Sequence, residues 1–388
     1  MAIKHYFSPR YFLHISSFFL FFLLRILFSG LVSVLLLAQG YVASVVSTVS
    51  AVALVVSFLA VPLIGKLADV CGVKRISTML LILSSIAGTV FAFSKSLLLS
   101  GVLYCLIILC LNTLHPIVER QATQTSFSYG SIRIWGTLGN AVGTQLGGIM
   151  YQYVSPQSVY ILFSLVSILT CIVFSKISKN CAPHSKASST DAVRPSRLPA
   201  VFFLYLAVVF LFYAALDSKT LYLAPFLNVS GFSVSRTSSI LFLASLFEIP
   251  VVLLGGRFID KHPCKPLVLG CSALLVCQLC VYAVSTSHIL IILATLLTNS
   301  VVSMLFIMIN MKVISELIDA DHQVSALTIT SGIRSLAAVI GQTISGYLID
   351  RYSYRHCFIL LSCLAIFAFL MTVGVKLPKC NGSSDLYA

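Results

Sequence analysis

Long apolar runs, separated by short polar or Gly- and Pro-containing stretches, make up most of this chain. Each run approaches the roughly 20 apolar residues that an α-helix needs to cross a bilayer, so the pattern predicts transmembrane helices. The predicted spans are residues 11–37, 43–64, 76–94, 97–117, 131–153, 158–175, 200–220, 236–256, 266–285, 289–311, 326–349 and 356–376. We therefore expect an all-α membrane protein with twelve transmembrane helices.

One polar segment divides the predicted spans into two sets of six. Residues 176–199 (KISKNCAPHSKASSTDAVRPSRLP) are rich in Ser, Pro, Lys and Arg and lack apolar periodicity, which is typical of a flexible linker. We expect an N-terminal half at 1–175, a cytoplasmic linker at 176–199, a C-terminal half at 200–376 and a cytoplasmic tail at 377–388. The two halves are predicted to be pseudo-symmetric six-helix bundles.

The composition excludes a water-soluble protein. Of the 388 residues, 59% are hydrophobic and only 9% are charged, and the mean hydropathy is +1.02. Soluble domains carry about 25% charged residues. The first apolar run, at 11–37, also exceeds the apolar core of about 7–15 residues in a cleaved signal peptide. We expect a multi-pass protein of the cell membrane, surrounded by the lipid bilayer.

The net charge of +14 reflects the loops between the spans. Along the predicted topology, 17 of the 25 Lys and Arg residues lie in alternate segments that include both termini. Five lie in the remaining loops, among them Lys95 and Lys219. An excess of basic residues marks the cytoplasmic side of a membrane protein. We therefore expect both termini in the cytoplasm and no nucleic-acid partner.

The sequence offers no pattern typical of a metal site or an enzyme. Many of the 12 cysteines, such as Cys110 and Cys271, lie within apolar runs and lack the paired spacing of zinc ligands. The predicted loops are too short to hold a soluble catalytic domain. We expect no metal, no cofactor and no enzymatic activity.

Two similar stretches lie about half a chain apart. Residues 65–75 read GKLADVCGVKR and residues 256–265 read GRFIDKHPCK, so each begins with Gly and has Asp four residues later. Gly65 and Gly256 are 191 residues apart. Matching loops in two six-span halves indicate an internal duplication, which is common among secondary transporters.

The first stretch resembles the signature that the major facilitator superfamily carries between its second and third helices. The positions that carry this resemblance, together with the partial second copy, are Gly65, Asp69, Gly72, Lys74, Arg75, Gly256 and Asp260. The resemblance implies two halves that expose a central site to each side of the membrane in turn, with these loops acting during that motion. It also implies a small-molecule substrate, protons as a candidate coupling ion, and a monomer.

Two shorter segments resemble one branch of that superfamily. Residues 129–139 (YGSIRIWGTLG) are similar to the fifth helix in the branch that contains lactose permease, phenylpropionate permeases and nucleoside:proton symporters. Residues 246–250 (LFEIP) are similar to the eighth helix of that branch and of sugar efflux transporters. The resemblance implies that Arg133 contacts the substrate, with a headgroup contact as the alternative. His115 stands where that branch has an acidic partner, which argues against a galactoside substrate.

Two ionisable residues lie deep within predicted spans, where a charge is costly unless it is paired or hydrated. Arg25 lies 13 residues beyond Phe12, roughly 20 Å along a helix, so a cavity position is favoured over snorkelling to the surface. Glu248 lies near the middle of the eighth span beside Pro250, which removes one backbone donor. We interpret Glu248 as a proton- or substrate-handling group, with a permanent pair to an arginine as the alternative.

Asp217 and Arg334 match the positions of an acid and a lysine that pair in lactose permease. The resemblance implies an ion pair that is chiefly structural, in which arginine adds a planar fork for a carboxylate. The proton-coupling residues on the tenth helix of lactose permease are matched here by Asn299 and Val302. A proton relay of that kind is therefore absent.

The sequence as a whole predicts a secondary active transporter of a small organic solute. Alternating access with proton-coupled import is the leading hypothesis, and sugar or drug efflux is the alternative. Coupling would then run through Glu248, Asp217 or His115.

Overall fold

The computed structural model of the protein describes residues 9–123, 125, 129–177, 199–318 and 323–375. In these ranges the chain consists of helices joined by short turns, and none of the described residues lies in a β-strand. The helices are α1 (Pro9–Ser29), α2 (Val32–Ala38), α3 (Ala43–Cys71), α4 (Val73–Phe93), α5 (Leu97–Thr123), α6 (Tyr129–Ile149), α7 (Pro156–Ile177), α8 (Ala200–Val229), α9 (Val234–Leu246), α10 (Glu248–Lys261), α11 (Cys264–Val284), α12 (His288–Leu317), α13 (Gln323–Arg351) and α14 (Tyr354–Gly374). A π-helical turn, Met150–Val154, follows α6 directly.

Each predicted span overlaps at least one of these helices. Within the described ranges, ten helical stretches are long and apolar enough to cross a membrane. The helices α6 and α13 are not among those ten, because Gly, Ser, Thr and an arginine interrupt their apolar sequence. These two less apolar helices carry Arg133 and Arg334, respectively.

The prediction that the two signature stretches form loops was wrong. Gly65 belongs to α3, and Gly256 and Asp260 belong to α10. The turn is confined to Gly72, whose φ of +91° lies in the left-handed region that favours glycine. A helix satisfies its own backbone hydrogen bonds, so it can continue past the end of the apolar run that revealed it.

Two predicted spans are interrupted, and a third is longer than expected. The first span breaks at Gly30 and Leu31, between α1 and α2, and the eighth breaks at Phe247, between α9 and α10. Helix α8 continues to Val229, although the sequence indicated an end at residue 220. Lys219 therefore lies inside a helix, and its assignment to an outer loop was wrong.

One compact unit contains α1, α2, α3 from Val49 onward, α4–α7, the end of α8 from Ala224 and all of α9. Helix α1 packs against α6 and α7, α4 packs against α5 and α7, and α9 packs against α6. At Gly139 the helices α6 and α1 approach so closely that an added Cβ would clash with the carbonyl oxygen of Phe19. Small residues at such crossings allow membrane helices to pack closely.

The second unit contains the start of α3 up to Thr48, α8 up to Leu223, and α10–α14. Helix α11 packs against α12 and α14, and α10 packs against α12. The rings of Phe212 and Phe306 stack at 3.6 Å between centroids. Both carboxylate oxygens of Asp350 accept hydrogen bonds of 2.7 Å at the start of α3, from the N–H groups of Ala43 and Ser44, which satisfies two backbone donors at that helix end.

Candidate functional site

In the first unit, Arg133 lies in a cluster of charged and aromatic side chains. Its Nη1 is 2.7 Å from Oε1 of Glu119 on α5, and its Cζ lies 5.0 Å from the ring centroid of Phe22 on α1. Nε2 of His115, one turn before Glu119, is 3.7 Å from the same carboxylate oxygen. The cluster therefore combines a cation, an anion, a titratable imidazole and a ring face.

The second unit contains a similar cluster around Arg334. Its Nε and Nη2 each donate a hydrogen bond of 3.1 Å to one carboxylate oxygen of Asp217 on α8. Its Cζ lies 4.4 Å from the ring centroid of Tyr213, one turn earlier on α8, and Gln342 donates to the backbone carbonyl of Asp217 at 3.3 Å. A bidentate pair of this kind fixes the plane of the guanidinium as well as its position.

The two clusters share a plan. In each, an arginine on a less apolar helix pairs with a carboxylate on another helix and lies over an aromatic ring. Phe22 and Tyr213 are 191 residues apart, the same offset that separates Gly65 from Gly256. The rings thus occupy matching positions in the two repeats, whereas the carboxylates come from α5 in one unit and α8 in the other.

Both arginines remain partly open. The side chain of Arg334 is 43% exposed and that of Arg133 is 18% exposed, although each has a carboxylate partner. A guanidinium facing lipid tails is strongly unfavourable, so an open face on a membrane arginine is expected to meet water or a polar ligand. Planar N–H groups and ring faces can hold a polar, ring-bearing solute by hydrogen bonds and stacking.

The sequence placed Glu248 near the middle of a continuous helix, and the structure does not. Glu248 is the first residue of α10, directly after the break at Phe247, and is half-buried. Pro250 sits in the first turn of α10, where its missing N–H breaks no helical hydrogen bond.

The remaining predicted residues occupy different surroundings. Arg25 is half-buried in α1, and its carbonyl accepts a hydrogen bond from Ser29. Lys74 and Arg75 are exposed in the first turn of α4, and the side chain of Asp69 lies outside the described residues. Asn299, half-buried in α12, accepts a hydrogen bond from Lys219.

Sequence reasoning missed two buried lysines. Lys219 is 0% exposed and donates to Gln278 and Asn299. Lys312 is 1% exposed, and its Nζ donates to the carbonyl oxygens of Ile259 at 2.7 Å, Asp260 at 3.2 Å and His262 at 2.7 Å. For Lys219 a signal was present, because an apolar stretch follows it closely, from Leu221 to Leu227.

A family model for the Major Facilitator Superfamily matches residues 13–330. The chain belongs to the Major Facilitator Superfamily. It is therefore a helical, multi-pass membrane protein with the family and fold of transporters.

Two curated relatives are distant in sequence. The chain is 22% identical over 263 residues to the uncharacterized transporter YwbF of Bacillus subtilis (strain 168), a match that spans 68% of this chain and 66% of that protein. It is 22% identical over 324 residues to the maltose permease of Geobacillus stearothermophilus, spanning 82% of each chain.

Solved transporters share the fold of this superfamily member. A mutant of the nucleoside transporter NupG superposes with a TM-score of 0.82 at 13% identity, covering 95% of this chain and 100% of that one. A D-xylose-proton symporter superposes with a TM-score of 0.73 at 12% identity, covering 96% and 98% of the two chains.

Proposed function

We propose that this protein is a secondary active transporter that moves a small organic solute by alternating access, with proton-coupled import. The proposal includes twelve membrane crossings in two six-helix halves, 1–175 and 200–376, joined by the linker 176–199, with both termini in the cytoplasm and the monomer as the working unit. The observation that carries it is the pair of partly open arginine clusters, one in each compact unit.

The chemistry of the clusters supports a polar, ring-bearing solute. Arg133 and Arg334 offer N–H donors, Glu119 and Asp217 offer acceptors, and Phe22 and Tyr213 offer ring faces, so hydroxyl groups and a flat ring would both find partners. The names of the relatives, which include a nucleoside transporter, a xylose symporter and a maltose permease, support the same class. Nucleosides and sugars are therefore the first solutes to test.

Proton coupling is assigned to Glu248, with His115 and Asp217 as further candidates. Glu248 is a half-buried carboxyl at a helix break, where small movements of either helix change its surroundings. A carboxyl that passes between polar and apolar surroundings gains and loses a proton accordingly. Such a group can link proton movement to the rocking of the two halves.

The test is uptake of labelled uridine, xylose and maltose into proteoliposomes. We expect at least one of them to accumulate when the outside is acidic, and Glu248→Gln to abolish the accumulation while preserving exchange at equal pH. Arg355→Gln is the control, because Arg355 is exposed at the start of α14. Gradient-driven accumulation by Glu248→Gln at the wild-type rate would contradict the assignment of Glu248.

Efflux is the alternative direction, and the resemblance of residues 246–250 to sugar efflux transporters favours it. The same liposomes decide between the two. An exporter would release preloaded label in exchange for entering protons. It would show no uptake of label under an inward proton gradient. Failure of every solute to move in either direction, with correctly inserted protein, would contradict the proposed function.

A further inference from the structure

Lys219 is a fully buried amine held by neutral groups. Its Nζ donates to Oε1 of Gln278 at 3.1 Å and to Oδ1 of Asn299 at 2.9 Å. Gln278 lies on α11 and Asn299 on α12, so two other helices hold the end of a side chain that comes from α8. Both acceptors are amide oxygens, which carry no charge.

A chain of hydrogen bonds continues from this amine into the core of the second unit. Gln278 Nε2 donates to the hydroxyl of Tyr282 at 2.9 Å, and that hydroxyl lies 2.8 Å from Oγ1 of Thr295. The side chains of Lys219, Tyr282 and Thr295 are 0% exposed, and that of Gln278 is 1% exposed. The amine itself is therefore shielded from bulk water within an ordered polar network, whereas its partner Asn299 is half-buried.

The charged groups closest in sequence to this lysine are paired with each other. Within the described part of the chain, no carboxylate oxygen lies within 4.0 Å of Lys219 Nζ. Asp217 lies two residues earlier on α8, and both of its carboxylate oxygens accept hydrogen bonds from Arg334 of α13. Among the described residues that form the network, α11 adds the titratable hydroxyl of Tyr282, while α12 adds the neutral side chains of Asn299 and Thr295.

The number of acceptors matches the neutral amine. An ammonium has three N–H donors, whereas an uncharged amine has two, and the described residues supply two acceptors, Gln278 and Asn299. A buried ammonium without a carboxylate is costly, and a protein avoids that cost by letting the proton leave. Two acceptors and complete burial thus favour the uncharged form in this conformation.

We propose that Lys219 is a proton-binding site of the transport cycle. The lone pair of its Nζ accepts a proton from a hydronium ion on one side of the membrane when the network opens, so an O–H bond breaks as the N–H bond forms, and water is left. The N–H bond breaks again when the proton passes to a water molecule on the other side, which becomes hydronium. This inference rests on the proposed function, to which it adds a second proton-handling group besides Glu248.

The first test needs no substrate. The unfolding equilibrium of the purified protein in detergent is measured from pH 6 to 9 for wild type, Lys219→Gln and the exposed-loop control Lys95→Gln. Unfolded lysine keeps its proton up to about pH 10, so a folded state that has released this proton gains stability as the pH rises. We expect the ratio of the wild-type unfolding constant to that of Lys219→Gln to fall by up to tenfold for each unit of rising pH, because unfolding takes up one proton at Lys219. Parallel profiles for the two proteins would overturn the proposal.

Asn299→Asp provides a second variant in case Lys219→Gln does not fold. It places a carboxylate at the position of an amide that lies 2.9 Å from Nζ, with almost the same shape. An adjacent negative charge favours the ammonium form, so this variant is expected to lose the extra pH slope while it stays folded. A slope equal to that of wild type would overturn the proposal.

A transport measurement separates this inference from the proposed function. If one of uridine, xylose or maltose is carried, Lys219→Gln and Asn299→Asp are expected to lose at least tenfold in proton-driven accumulation and to retain exchange at equal pH. Undiminished accumulation by these variants would show that Lys219 takes no part in the transport cycle, even if it binds a proton. If none of the three solutes moves, the proposed function fails, and the pH slope of unfolding still decides whether Lys219 binds a proton.

Discussion

Arg334 and Asp217 are joined by two hydrogen bonds of 3.1 Å, from Nε to Oδ2 and from Nη2 to Oδ1. Both bonds require the planar fork of a guanidinium, which lysine lacks. Hydrogen bonds to charged groups contribute about 1.5–3 kcal/mol each in mutational studies, less where solvent reaches them. The pair is therefore expected to link α8 and α13 measurably.

A double-mutant cycle measures this link. Asp217→Asn, Arg334→Gln and the double variant are compared by unfolding in detergent, with Arg355→Gln as the exposed control. We expect each single change to destabilise the protein and the coupling free energy to be about 1–3 kcal/mol. Additive effects, with no coupling between the two positions, would show that the pair contributes nothing to stability.

A second prediction concerns Arg133, whose Nη1 lies 2.7 Å from Glu119. Lysine keeps the charge but offers a single ammonium in place of the planar donors that can bind Glu119 and a solute at once. We expect Arg133→Lys to weaken the apparent affinity for the carried solute at least tenfold. Arg120→Lys, at an exposed position of α5 next to Glu119, serves as the control, and equal affinities for the two variants would refute the role of Arg133.

The end of α10 provides a stability prediction. Lys312 donates to three carbonyl oxygens there, at Ile259, Asp260 and His262. Lys312→Met fills similar space but leaves these acceptors without that donor, which typically costs about 1–3 kcal/mol. The exposed neighbour Lys261 gives the matched control Lys261→Met, for which we expect less than about 0.5 kcal/mol. Similar losses in the two variants would contradict the capping role.

Two helical glycines should respond in opposite ways to alanine. A Cβ at Gly139 would clash with the carbonyl oxygen of Phe19, whereas Gly270 on α11 has open space around it. We expect Gly139→Ala to destabilise the protein and Gly270→Ala to be neutral or stabilising by up to about 1 kcal/mol, as helix propensity predicts. Thermal unfolding in detergent measures both, and a neutral Gly139→Ala would show that α1 and α6 do not pack as described.

The helices could be predicted from hydropathy, but their ends could not. Apolar residues indicate where lipid surrounds the chain, whereas a helix ends where its backbone hydrogen bonds end. The residues from Gly65 to Cys71 are helical although Lys66 and Asp69 interrupt the apolar pattern. In the same way, the polar triplet at 217–219 suggested a span end at residue 220, although α8 continues for two further turns to Val229.

The candidate site could be predicted only in part from the sequence. Asp217 and Arg334 were matched through resemblance to another transporter, since residues 117 positions apart carry no local signal of contact. The contact between Arg133 and Glu119 was not predicted, because His115 occupies the position where the branch has its acid, one turn away from Glu119. Lys219 was missed because a lysine within a polar triplet is typical of a loop, and the helices that surround it are not visible in the sequence.

The central claim is that the two arginine clusters handle the transported solute, and exchange in proteoliposomes tests it most directly. Counterflow of labelled uridine, xylose and maltose is measured at equal pH for wild type, Arg133→Gln, Arg334→Gln and the exposed control Arg355→Gln, with inserted protein quantified in each sample. We expect the wild type and Arg355→Gln to exchange at least one of these solutes at similar rates, and each cluster variant to lose at least tenfold. Exchange at the wild-type rate by both cluster variants would contradict the account.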